Sequence, residues 1–123
     1  MSARTRVAAC ALLLFAGAAE AGPASGSRVG AAAQDKAQID HGAKVYADQK
    51  CSVCHSIAGK GNAKGSLDGV GSKQTADEIR SWITDAKGMA AKTKATRKPE
   101  MKQYTLPKDD VDALVAYLSS LKK

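Results

Sequence analysis

Cys51, Cys54 and His55 stand within five positions of one another, in the stretch QKCSVCHSI. Three chemistries use such a grouping: thiol–disulfide exchange, structural zinc binding and covalent attachment of a haem. Exchange needs a thiolate activated at a helix N-terminus, in a setting of alternating strands and helices. Here the pair follows a helical segment, and no stretch of the chain shows convincing strand alternation. Structural zinc needs four ligands, and apart from His41 the chain beyond residue 21 offers no further cysteine or histidine. His41 lies about 200° round a helix from Ile39, off the apolar face, which predicts a solvated side chain. Haem attachment suits the spacing. Two thiols three residues apart on one turn can each add to a vinyl group of a single porphyrin, and the next residue can swing its imidazole under the iron. The motif reads as a haem anchor.

The start of the chain points to export. Arg4 and Arg6 form a positive n-region, Val7 to Ala18 is small and apolar, and Ala19-Glu20-Ala21 offers a cleavage site before Gly22. The apolar run is too short for a bilayer, which needs ~20 residues. Residues 1–21 are therefore expected to be a cleaved secretory signal and the periplasm the destination. Cys10 leaves with that segment, so Cys51 and Cys54 are the cysteines that remain. A disulfide between them would close a tiny loop and staple nothing distant.

One domain is the default for 123 residues. The net charge of +7 stays strongly basic after loss of two arginines and one glutamate with the signal. Such a balance fits nucleic acid, anionic lipid or an acidic protein partner. Export and the lack of an aromatic-studded basic groove argue against nucleic acid. Beyond the signal the aromatics are Tyr46, Trp82, Tyr104 and Tyr117, a thin supply for a small domain whose buried fraction is marginal. A bound group is expected to fill the middle.

The positioning elements read as helices. Residues 22–34, rich in glycine and small residues, are expected to be a flexible tail, and residues 35–123 the folded domain. A first helix is predicted over about Asp35 to Asp48, with Ile39, Gly42, Ala43 and Tyr46 in one stripe. Glycine inside a helix costs ~1 kcal/mol relative to alanine, so Gly42 suggests close approach by another backbone. A second helix starts from the capping box Thr75-Ala-Asp-Glu78, buries Ile79, Trp82, Ile83 and Ala86, and is expected to stop at Gly88. A third covers about Lys108 to Leu121, with Val111, Leu114, Val115, Leu118 and Leu121 on its apolar face. Two long loops, Ser56 to Gln74 and Met89 to Thr105, are left to wrap a cofactor.

From about Gln38 to Leu121 the chain resembles the class I cytochromes c, small monohaem electron carriers. The resemblance lies in GAKVY (Gly42 to Tyr46), CSVCH, SLDGVGSK, EIRSWI and LVAYL (Leu114 to Leu118), in that order. It implies an all-α cytochrome c-like fold of about three main helices and long loops around one covalent haem c. It also implies thioethers at Cys51 and Cys54, His55 as proximal iron ligand and Met101 as sixth ligand. Met89, the other methionine in reach, is more often filler for a core gap. Trp82 would donate its indole N–H to a haem propionate. In the family a backbone carbonyl orients the ligating histidine, just before the leucine of a G-P-x-L motif. Here the stretch is KGSLDG, without proline, and Gly65 or Ser66 could supply that carbonyl. Tyr104 reads as a loop aromatic packed near the haem.

The expected function is one-electron transfer between redox partners, without enzymatic chemistry. The expected partners are redox proteins with acidic docking surfaces, with no nucleic acid and no transmembrane anchor. Lys87, Lys92, Lys94, Arg97, Lys98 and Lys102, opposed within that stretch only by Glu100, would form the docking patch. Two alternatives stand beside this reading: a subunit of a larger oxidoreductase, and a haem enzyme or gas-binding protein with an open distal site.

Overall fold

The computed structural model describes the chain from Ser27 to Lys123, with side chains from Asp35 onward; the expected signal segment lies outside the described residues. Among the described residues five α-helices carry the fold: α1 (Ser27–Asp48), α2 (Val70–Lys73), α3 (Ala76–Thr84), α4 (Ala86–Thr93) and α5 (Lys108–Ser120). A two-residue hairpin, β1 (Ser56–Ile57) with antiparallel β2 (Lys60–Gly61), lies between α1 and α2. The all-α expectation holds, with short helices α2 and α4 lying in or running into the stretches expected to be loops.

Helix α1 begins at Ser27 rather than near Asp35, so the glycine-rich stretch expected to be a tail is helical from that point. Its three consecutive alanines and Gln34 have high helix propensity, which outweighs the single Gly30. Lys36 pairs with Asp40 at 2.5 Å and Lys44 with Asp48 at 2.6 Å, one turn apart on the exposed face. The opposite face buries Gly42, Val45 and Tyr46 against α5.

Gly42 is where the two helices meet. A Cβ at Gly42 would collide with the backbone carbonyl of Ala113 and with the Tyr117 side chain. The missing side chain lets α1 and α5 touch backbone to backbone, which explains a glycine in mid-helix. One turn on, the Tyr46 and Tyr117 rings pack edge to face with centroids 6.0 Å apart. His41, on the flank of this crossing, reaches Asp110 of α5 at 2.9 Å. The same device recurs at Gly71 of α2, whose Cβ would strike the carbonyl of Ser119. There the Gly71 N–H donates to the Leu121 carbonyl at 3.0 Å and holds the end of α5.

Helix α3 starts as expected. The Thr75 hydroxyl accepts from the Glu78 N–H at 3.2 Å, and Glu78 accepts from the Thr75 N–H at 2.9 Å. Ile79 and Ile83 are buried, Trp82 is partly so, and Arg80 ties α3 to Asp112 of α5 at 2.6 Å. The helix does not run on to Gly88. It breaks at Asp85 (φ −142°, ψ 56°), whose carboxylate accepts the Gly88 N–H at 3.0 Å and starts α4. Aspartate competes for its neighbours' amides and so caps a new helix rather than continuing the old one. Gly88 serves that cap: a Cβ there would strike the Asp85 carboxylate. The core, made of Val45, Tyr46, Val70, Ile79, Ile83, Val111, Leu114, Val115 and Leu118, lies where α1, α2 and α3 meet α5.

Candidate functional site

The attachment motif is a helical turn pinned by a neighbouring loop. Cys51 to Val53 form a 3-10 turn, and the Cys51 carbonyl accepts from His55 N–H at 2.9 Å. Carbonyls that such a short turn leaves unpaired need outside donors. Asn62 supplies them: its backbone N–H lies 3.1 Å from the Ser52 carbonyl and 3.0 Å from the His55 carbonyl, and its side-chain amide donates to Val53 at 3.2 Å. Gly61 makes that approach possible, with a positive φ of 107° and no Cβ to strike the His55 carbonyl.

Both thiols are free, Cys51 half-buried and Cys54 exposed. Burial pushes the Cys51 thiol above its ordinary pKa. His55 is also half-buried, and burial holds its pKa below the usual histidine value. Its Nδ1 lies 3.0 Å from the Gly65 carbonyl oxygen. A carbonyl only accepts, so Nδ1 carries the proton and Nε2 keeps a free lone pair. The orienting acceptor is therefore Gly65, one of the two residues named from sequence.

Arg97 adds a contact that the sequence did not reveal. Its guanidinium donates to the Cys54 carbonyl inside the motif and packs against Gly65, where a Cβ would strike it. In the sequence it is one cation within a basic run, with nothing to set it apart from solvated neighbours.

A cleft of about 280 Å³ gathers these groups. Cys51, Cys54 and His55 line it together with Leu67, Val70, Ile79, Ile83, Leu114 and Leu118, so the core residues of α3 and α5 form its apolar wall. Trp82, Met101 and Tyr104 line it as well, and Tyr104 is held there by its backbone N–H donating to the Ile83 carbonyl at 3.0 Å. Met89 does not line it; that side chain is buried in α4. His41 does not line it either. The structure thus brings together Cys51, Cys54, His55, Trp82 and Met101.

The donor set fits a covalently held haem: two thiols on one turn, an imidazole with a free Nε2, a thioether sulfur, and walls too apolar for a solvated ion. Tyr46 also lines the cleft, and its buried hydroxyl has no hydrogen-bond partner among the described residues. Burial pushes its pKa up to about 12, so it stays a neutral donor at physiological pH. Among the described residues no helix is long and apolar enough to cross a membrane. The family model described as Cytochrome c matches residues 39–122. No curated protein and no solved structure matches the chain.

Proposed function

The chain belongs to the cytochrome c family of haem-binding electron-transfer proteins, and on that premise we propose that it is a periplasmic monohaem carrier with His55 and Met101 as axial ligands. One observation carries the reading: the free Nε2 of His55, the Met101 side chain and both free thiols line one apolar cleft. Bound there, haem c supplies a one-electron iron couple, and His/Met ligation raises its potential.

Each residue has a defined task. Cys51 and Cys54 provide the thioether sulfurs. The Gly65 carbonyl fixes the His55 ring and increases its basicity through Nδ1, as an outer partner does for a ligating histidine. Ile79, Ile83, Leu114 and Leu118 keep water out, which narrows the reorganisation that accompanies each electron. Trp82 borders the cleft, and its indole N–H would donate to a propionate. His41, the spare histidine on which the open-site alternative would draw, pairs with Asp110 and stands outside the cleft. The partners are redox proteins with acidic faces that meet the exposed cations between Lys87 and Lys102.

Absorption spectra of the purified protein, oxidised and reduced, test this. A low-spin spectrum with the weak long-wavelength band of sulfur-ligated ferric haem is expected. A high-spin protein that binds carbon monoxide readily would overturn the carrier assignment.

A further inference from the structure

The contacts of Arg97 go beyond a surface charge. It lies in the segment between α4 and α5, distant in sequence from the attachment motif, yet its guanidinium reaches back to two points of the loop that holds His55. One is the Cys54 carbonyl, which belongs to the peptide unit joining Cys54 to His55. The other is Gly65, whose carbonyl accepts the His55 Nδ1 proton. The peptide that carries the imidazole and the carbonyl that sets its ring plane are thus both pressed against one planar cation. Arginine suits this better than lysine, because its donors are fixed in a fork while an ammonium is a flexible point charge.

Gly65 is matched to the same contact. It is buried, and any side chain there would occupy the place of the guanidinium and strike the Cys54 carbonyl as well. The stretch KGSLDG contains no proline to stiffen it from within. Arg97 is placed to restrain it from outside.

We propose that Arg97 is a positioning residue for the axial histidine, clamping Cys54 and Gly65 so that the His55 ring plane is fixed, and that its charge raises the reduction potential. The inference rests on the proposed ligation by His55. A fixed cation beside the site disfavours the more positive ferric state, so its removal must lower the potential.

The test compares wild-type holoprotein with Arg97→Gln and Arg97→Lys, at low and high salt. Two quantities are read: the reduction potential, and the hyperfine-shifted haem methyl resonances of the ferric protein, which report the orientation of the axial ligands. Arg97→Gln is expected to lower the potential by as much as a tenfold change in the one-electron equilibrium constant, which is 59 mV, and to rearrange the methyl pattern. Arg97→Lys is expected to keep most of the potential but still to rearrange the pattern, because the charge survives and the fork does not. If Arg97→Gln fails to mature, the methyl pattern of Arg97→Lys decides. A wild-type pattern in Arg97→Lys and in any mature Arg97→Gln would overturn the positioning role, even if the potential falls. A wild-type protein without a low-spin haem would instead overturn the ligation on which the inference rests.

Discussion

Met101 lines the same cleft as His55, whereas Met89 is buried in α4 away from it. The two methionines are therefore expected to fail differently. Met101→Ala should open the iron to added ligands, lower the potential and abolish the long-wavelength sulfur band. Met89→Ala should leave all three nearly unchanged and cost ~2–5 kcal/mol of stability through lost packing. Spectra, potentiometry and denaturant unfolding of both variants check the pair of outcomes, and the reverse pattern would transfer the ligand role to Met89.

Intact-mass measurement of the exported protein should give the chain from Gly22 onward plus one haem. Replacing both Cys51 and Cys54 by alanine should remove that added mass and the cooperative unfolding transition together. The cleft is walled by Ile79, Ile83, Leu114 and Leu118, so without its occupant the core is left open in the middle.

Gly42→Ala should destabilise the holoprotein even though alanine is the better helix former. The propensity gain is ~1 kcal/mol. Forcing a methyl against the Ala113 carbonyl costs ~1–3 kcal/mol by overpacking. Gly42→Val should be worse again, since it adds bulk and β-branching. A denaturant midpoint for Gly42→Ala at or above wild type would show that α1 and α5 can separate without loss.

Much of this architecture can be read from residue types. Gly42 foretold a close helix crossing because a mid-helix glycine needs a reason, and Thr75 with Glu78 foretold the α3 start because both hydrogen bonds are local. The attachment motif named its own chemistry. Features set by through-space contact could not be read this way. Gly88 resembles a helix stop, and only the position of the Asp85 carboxylate reveals it as part of the next helix's cap. Val45 lies outside the periodic stripe of Ile39, Gly42, Ala43 and Tyr46 yet is buried, because α5 covers a wider face than those four positions span. Arg97 carries no local signal at all, since both of its partners lie far back in the sequence.

Acid should weaken the fold through its pinned carboxylates, Glu78, Asp68 and Asp112 among them. The Thr75 N–H holds Glu78 below its ordinary 4.5, the Ala58 N–H holds Asp68 below 3.8, and Lys108 and Arg80 hold Asp112 below 3.8. Their folded pKa values are depressed, so their stabilisation is present in full above those ordinary values and is lost as pH falls through the folded ones. Stability measured from neutral pH downward should fall below about pH 4.5. Glu78→Gln should flatten part of that slope, and an unchanged slope would show that the capping box contributes nothing to acid sensitivity.

Electron exchange with an acidic partner should be steered by charge. Lys87, Lys92, Lys94, Lys98 and Lys102 are exposed, and Glu100 engages Lys98. The second-order rate should fall steeply as salt screens these charges. Stopped-flow rates that stay flat across ionic strength would show that the lysines serve solubility alone.

The crossing of α1 with α5 also sets an order of events during synthesis. Val45 and Tyr46 are synthesised well before Leu114, Val115 and Leu118, with which they share the core. Closing so long a loop adds only a logarithmic entropy cost, yet it delays folding, because the rate falls as contacts become more distant along the chain. Cys51 and Cys54 are therefore in place before the segment that covers α1 and closes the cleft. A message truncated before Lys108 would yield a chain with its attachment motif intact and its first helix uncovered, able to meet haem but not to enclose it.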